Sequence, residues 1–200
     1  MSTVIVNLGF GNIASVAMAL ERLGTSATIT ADPSRIREAD RLILPGVGAA
    51  NFAAQQIEAL GIAGELRSFP RPLLGICLGM QMLYEDSEEG VTKGLRMLRG
   101  RVERLVSAPT RPVPHMGWNQ LNVENSLHPL LDGVSTGEYV YFVHSYAAPI
   151  TDETIASCSY GRSFAAIAGK GSLLGCQFHP ERSGRVGEKI LHNFLNLPLV

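Results

Sequence analysis

The sequence predicts an α/β fold: a doubly wound, mostly parallel sheet with helices on both faces and an appended antiparallel strand region. Three observations lead there. Short, continuous apolar runs alternate with helical patterns through the first half of the chain, as strands buried on both faces require. Glycine turns follow several of these runs, where a strand must hand over to a helix. The second half changes to strand-like segments with few helical patterns between them.

Val4 to Leu8 is the first strand, followed by the turn Gly9-Phe10-Gly11. A helix starts near Asn12, a good N-cap, buries Ile13, Val16, Ala17, Leu20 and Leu23, and ends at Gly24. Thr28 to Thr30 and Leu42 to Leu44 are the next strands, the latter stopped by Pro45-Gly46, and Ala49 to Leu60 is helical. Leu73 to Ile76 is a fourth strand. Another helix begins just after Cys77 and carries Met80, Met82, Leu83 and Tyr84. Val102 to Val106 alternates weakly, and Pro109 to Pro114 is loop. Tyr139 to Tyr146, Thr154 to Ser159, Ser163 to Ala168 and Ser172 to Phe178 are expected as antiparallel strands appended to the parallel sheet. A helix after Ser183 closes the chain, with Val186, Ile190, Leu191, Phe194 and Leu195 on one face.

Two hundred residues, 46% of them hydrophobic and 18% charged, suit one domain over 1–200 with a real core. The formal net charge of -1 argues against a generic nucleic-acid binder. No apolar run approaches the roughly 20 residues of a membrane helix, and Met1 to Leu8 carries no basic leader, so a cytoplasmic protein is expected. Cys77, Cys158 and Cys176 are an odd number at wide spacing, which suggests neither a disulfide framework nor a zinc site.

The segment Gly75-Ile76-Cys77-Leu78-Gly79-Met80-Gln81 carries the most chemistry. An apolar strand runs into Cys77 and a helix starts at once, with glycine two residues away on each side. That is the pattern of a nucleophile elbow, with cysteine where other hydrolases place serine. A helix N-terminus beside a thiol favours the thiolate and stabilises an oxyanion. The competing reading is a small buried hydrophobe, which is what most free cysteines are. Cys158 and Cys176 sit inside strand patterns without such glycines and take that plainer reading.

A thiol nucleophile needs a base, and the base an orienter. In His179-Pro180-Glu181, an extended backbone would point residues i and i+2 to the same side, and Pro180 would keep the segment from turning helical. Alone, the pair also fits a surface histidine with a capping carboxylate. His144 is the rival base and reads as a site-wall or structural residue. Pro45-Gly46-Val47-Gly48 ends a buried strand at the same rim. Its glycines allow a peptide to flip at little strain, so that an N–H points into the site or away, although an isolated turn of this kind is more often just a connection.

Taken together, these three segments resemble the class I (triad) glutamine amidotransferases, in order and spacing that cover most of the chain. Pro114-His115-Met116-Gly117-Trp118-Asn119, with Tyr141 to Tyr146 and Lys93-Gly94-Leu95, is similar to the glutaminase subunits of imidazole glycerol phosphate synthases within that family. The resemblance implies Cys77, His179 and Glu181 as the catalytic triad. It implies the N–H of Leu78 and one from Val47-Gly48 as the oxyanion hole, and Gly46, Gln81, Ser145 and Tyr146 as substrate contacts. No cofactor and no metal are implied. The implied partner is a barrel-shaped cyclase subunit, bound as a heterodimer that receives ammonia released from glutamine, with Asn12, His115, Met116, Trp118 and Asn119 at the interface. The alternative is a self-standing cysteine hydrolase on the same fold, γ-glutamyl hydrolase-like or peptidase-like, and a third is a non-catalytic interaction module.

Overall fold

Alternate residues of the first strands go to opposite faces of one sheet. Ile5, Ile43, Leu74 and Ile76 enter one apolar core, and Val4, Val6, Leu42, Leu44 and Leu73 enter another. A computed structural model describes residues 1–199. Its strands β1 (Thr3–Val6), β2 (Ala27–Thr30), β3 (Arg41–Gly46) and β4 (Leu73–Cys77) lie parallel in the order β2-β1-β3-β4. Helix α1 (Ile13–Arg22) covers the first core, α2 (Pro33–Glu38) and α3 (Ala50–Ala59) the second. Each fully buried Leu, Ile or Val there contributes about 1.5–3 kcal/mol.

The helices α2 and α4 (Ala63–Arg67) were not expected. For α2 the signal was present: the Asp32 carboxylate accepts from the Ser34 N–H at 2.8 Å, and Pro33 takes the first helical position. For α4 only five residues carry the pattern, too few to show a period. The helix after Cys77 is shorter than expected. It is a single turn, α5 (Leu78–Gln81), because Leu95, Arg96 and Met97 donate their N–H groups to the carbonyls of Met82, Tyr84 and Leu83, which a longer helix would need.

Four short strands, β5 (Asp86–Ser87), β6 (Thr92–Lys93), β7 (Arg101–Arg104) and β11 (Tyr146–Ala147), form a small sheet of their own. A two-stranded antiparallel sheet joins β8 (His115–Gln120) to β10 (Tyr139–His144). The main sheet, eight strands wide, continues from β4 through β14 (Leu173–Cys176), β13 (Arg162–Lys170) and β12 (Thr154–Tyr160) to β9 (Asn122–Val123).

One correction matters for the site. The segment Ser172 to Phe178 is not simply an appended antiparallel strand: β14 pairs parallel with β4, Gly175 opposite Gly75, and only its far edge is antiparallel, to β13. Glycine at 175 leaves room for α5, since a Cβ there would lie 2.5 Å from Met80 Cγ. The chain leaving β14 therefore arrives beside the end of β4. Helix α6 (Gly184–Leu195) follows and packs Ile190, Leu191 and Phe194 beside α1 in the first core. Among the described residues no helix is long and apolar enough to cross a membrane.

Candidate active site

β4 ends at Cys77 with φ 54° and ψ −111°, and α5 begins on the next residue. A non-glycine residue in that region carries roughly 1–3 kcal/mol of strain, tolerated where the surroundings over-determine it. Here α5 lies directly on the sheet. A Cβ on Gly79 would run into the Leu44 carbonyl oxygen, and one on Gly75 would lie 2.7 Å from the Met80 nitrogen. Glycine at both positions lets the elbow form. The N–H groups of the first turn of α5 have no acceptor within the helix.

His179 leaves β14 with its backbone pinned to β10. Its N–H donates to the Tyr141 carbonyl at 3.0 Å, and its carbonyl accepts from the Ser183 hydroxyl at 2.7 Å. His179 Nδ1 lies 2.8 Å from Glu181 Oε1, with both side chains buried. The pairing does not come from an extended run, as expected. Pro180–Arg182 is a turn of 3-10 helix, and Pro180 stands at its first position, where the missing N–H costs nothing. Burial alone would lower the imidazole pKa. The Cys77 thiol and the Glu181 carboxylate outweigh it and push His179 up to about 10.

Asn12 meets the same carboxylate. Its Nδ2 donates to Glu181 Oε1 at 3.2 Å, and its Oδ1 accepts from the Ser15 hydroxyl at 2.6 Å. Asn12 stands at the N-cap position of α1 but makes no capping bond, because its side chain is turned to Glu181.

The thiol opens on a cleft of about 370 Å³. Of the expected residues, Val47, Gly48, Leu78, Gln81, Ser145 and Tyr146 line it. Gly46 does not: it pairs with Cys77 at the end of β3, and a Cβ there would lie 2.8 Å from the Gly79 nitrogen, so its role is close approach beneath the elbow. Gly48, at φ +91°, holds a conformation natural to glycine. Glu89, missed in the sequence, is the one carboxylate lining the cleft among the described residues, and it also accepts from the Ala50 N–H at 2.8 Å. Gln177 was missed too. It is fully buried, with Nε2 3.7 Å from Cys77 Sγ and Oε1 2.9 Å from Gln81 Nε2. Cys158 and Cys176 are buried among strands, where desolvation pushes Cys158 up to about 12 and holds Cys176 well above the usual thiol range. Among the described residues no group of three or more His, Cys, Asp or Glu is placed to hold a metal.

His144 lines the cleft, and its Nδ1 lies 2.8 Å from the Tyr146 carbonyl, which can only accept. Its Nε2 then accepts from His115 Nδ1 at 3.0 Å, and His115 Nε2 accepts from Asn119 Nδ2 at 3.2 Å. Burial holds His144 down to about 3 and His115 to about 4, so both stay neutral. Of the residues expected at the interface, His115 is buried in this chain. The segment around Trp118 is the strand β8, and its pleat sends His115 inward, where it stacks on Tyr160 and Phe142. Asn119 follows it and donates to the Ser159 carbonyl at 3.1 Å. Met116, 63% exposed, and Trp118, 55% exposed, take the outer face.

A family model described as glutamine amidotransferase class-I matches residues 4–197. The chain belongs to the class-I glutamine amidotransferases. This amidotransferase is 46% identical to the imidazole glycerol phosphate synthase subunit HisH of Colwellia psychrerythraea, over 97% of this chain and 92% of the relative. It is 47% identical to the subunit of that name from Xanthomonas oryzae, over 96% of each chain. Among solved structures, one described as a glutamine amidotransferase superposes with a TM-score of 0.75 at 20% identity, covering 98% of this chain and 97% of that one. PurLQS from Thermotoga maritima superposes at 0.71 and 20% identity, covering 98% and 97%. These two likenesses show the amidotransferase fold.

Proposed function

We propose that this chain is the glutaminase subunit of an imidazole glycerol phosphate synthase. The observation that carries the reading is Cys77 and His179 on one cleft with Glu181 bonded to the imidazole behind it, in a chain whose HisH relatives match it over nearly its whole length. In this reading residues 1–200 are one amidotransferase domain.

Cys77 gives its proton to His179 Nε2, and the thiolate attacks the side-chain amide carbon of glutamine. The oxyanion that forms takes hydrogen bonds from the Leu78 N–H and from a backbone N–H of the Val47-Gly48 turn, aimed at charge that exists only in the transition state. Glu181 holds the imidazolium in register. The histidine then gives its proton to the amide nitrogen, the C–N bond breaks, and ammonia leaves a glutamyl thioester on Cys77. Water, deprotonated by His179, attacks the thioester carbon and releases glutamate with the thiol restored. Gln81, Ser145 and Tyr146 shape the wall around the substrate. Glu89 is the complement of its α-ammonium group, since no other carboxylate among the described residues lines the cleft.

Free ammonia is soon protonated in neutral water and then no longer nucleophilic. The second half of the proposal is therefore a barrel-shaped cyclase subunit, bound as a heterodimer, that receives it and forms imidazole glycerol phosphate and the aminoimidazole carboxamide ribotide. The three free thiols suit a reducing cytoplasm.

The deciding experiment mixes the chain with the cyclase subunit and its nucleotide substrate. Cys77→Ala abolishes synthesis driven by glutamine and leaves synthesis driven by ammonium salts intact. Loss of both activities, or survival of both, overturns the reading.

A further inference from the structure

We infer that Gln177 is a fourth catalytic residue, whose side-chain N–H donates to the Cys77 sulfur and holds it as the thiolate. The inference rests on Cys77 being the nucleophile of the proposed reaction. It is carried by an orientation that only one assignment of three polar groups satisfies.

The Tyr146 carbonyl oxygen can only accept, so the Gln81 atom 2.9 Å from it must be the amide nitrogen. That same nitrogen lies 2.9 Å from the terminal group of Gln177, so the Gln177 atom there must be the oxygen. The other terminal atom of Gln177 is then the NH₂ group, and it lies 3.7 Å from Cys77 Sγ. Turning over Gln81 would set two lone pairs against each other, and turning over Gln177 would set two N–H groups against each other. Gln177 is fully buried and Gln81 is 6% exposed, so no solvent competes for these bonds. Tyr146's carbonyl is itself fixed by the His144 Nδ1–H at 2.8 Å. The donor on the sulfur is thus held by a run of hydrogen bonds that begins in the wall of the cleft.

When the thiol gives its proton to His179 Nε2, the electron pair stays on sulfur, and an N–H aimed at it becomes a charge-assisted hydrogen bond. No bond to Gln177 forms or breaks. The imidazolium stabilises the same charge from the other side, but it must leave that role to protonate the departing nitrogen, and the amide does not titrate. Besides His179 with Glu181 behind it, the titratable groups around the sulfur are Cys176 at the end of β14 and, lining the same cleft, His144, Glu89 and Tyr146.

The test reads the thiolate directly. Alkylation of Cys77 by iodoacetamide is followed from pH 5 to 10 by mass spectrometry on the full chain, beside steady-state glutamine hydrolysis in the complex with the cyclase subunit. Gln177→Glu keeps the oxygen facing Gln81 and replaces the N–H donor with oxygen. Its alkylation profile moves to higher pH, with a rate at pH 7 about tenfold below wild type, and kcat falls at least as far while KM stays within about twofold. If Gln177→Glu does not fold, Gln177→Met, which has no donor at all, is read in the same two assays and by its melting curve. An alkylation profile that superimposes on wild type in either folded variant overturns the inference, as does a rise in KM with kcat unchanged. Wild-type complex that fails to hydrolyse glutamine overturns the glutaminase reading instead, and the alkylation comparison still decides the role of Gln177.

Discussion

Asn12 and His179 share one oxygen of Glu181, at 3.2 and 2.8 Å, although Asn12 is 169 residues away in the chain. The other carboxylate oxygen, Oε2, is buried without a protein partner among the described residues. Both fixed contacts of the carboxylate therefore sit on a single atom. The loop after β1 reaches it because β1 and β14 end at the same rim of the sheet.

Asn12→Leu removes one of those two contacts and should let the carboxylate turn away from the imidazole. A hydrogen bond to a charged acceptor is worth about 1.5–3 kcal/mol. Glutamine-dependent kcat is expected to fall by roughly ten- to a hundredfold with KM little changed, and ammonia-driven synthesis should be untouched. Steady-state kinetics of the complex check this. An unaltered kcat would show that Glu181 is held without Asn12.

The histidines set opposite pH limits on stability. His179 is raised to about 10 from an unfolded value near 6.5, so its contribution is fully present below about pH 6.5 and is lost as pH rises through 10. His115 and His144 are lowered, to about 4 and 3, so the unfolded chain takes up protons first and stability falls as pH drops below 6.5 toward those values. Urea midpoints should therefore decline on both sides of neutrality. His179→Gln should flatten the alkaline limb, and His115→Gln, which keeps a donor for His144, should flatten the acid limb. Parallel limbs in wild type and variant would refute the assignment.

Much of this arrangement was legible in the sequence, and the parts that were not have identifiable causes. Cys77 announced itself because an elbow requires small residues at fixed offsets, and Gly75 and Gly79 stand there. His179 and Glu181 were found for a partly wrong reason, since Pro180 starts a turn and does not prolong a strand. Gln177 and Glu89 left no local pattern. A buried amide becomes visible only when its partners, Gln81 and Tyr146, are brought in from distant elements. The inward and outward faces of His115 to Gln120 were hidden because the hydropathy pattern runs backwards there, with apolar Met116 and Trp118 facing out and polar His115 facing in. Parallel pairing of β14 with β4 was equally hidden, because an apolar run carries no mark of strand direction.

Gly79→Ala tests how tightly the elbow is built. The added methyl would overlap the Leu44 carbonyl oxygen, a backbone atom of β3 that cannot swing aside. The loss should exceed about 3 kcal/mol, at the severe end for a single substitution. Gly61→Ala is the comparison: its φ is +65° and a Cβ there meets nothing within 4 Å, so only backbone strain of about 1–2 kcal/mol is expected. Denaturant titrations of the two variants should differ by more than the error of extrapolation, and equal losses would show that α5 can lift off the sheet.

Trp118 stands beside the site on a face that the chain itself does not cover. It packs edge-on against Tyr141 at 5.9 Å, and the Arg182 guanidinium lies 4.8 Å from the centre of the same Tyr141 ring. Arg182 follows Glu181 directly, and Tyr141 accepts the backbone N–H of His179, so a partner pressing on this aromatic face would touch the frame that holds the triad. Large aromatic residues at the centre of an interface carry about 2–4 kcal/mol each. Trp118→Ala should therefore weaken binding of the cyclase subunit by at least about tenfold in a calorimetric titration. Because the side chain is 55% exposed, the isolated chain should melt within a few degrees of wild type. Unchanged affinity would remove Trp118 from the interface, and a large drop in melting temperature would make it a packing residue instead.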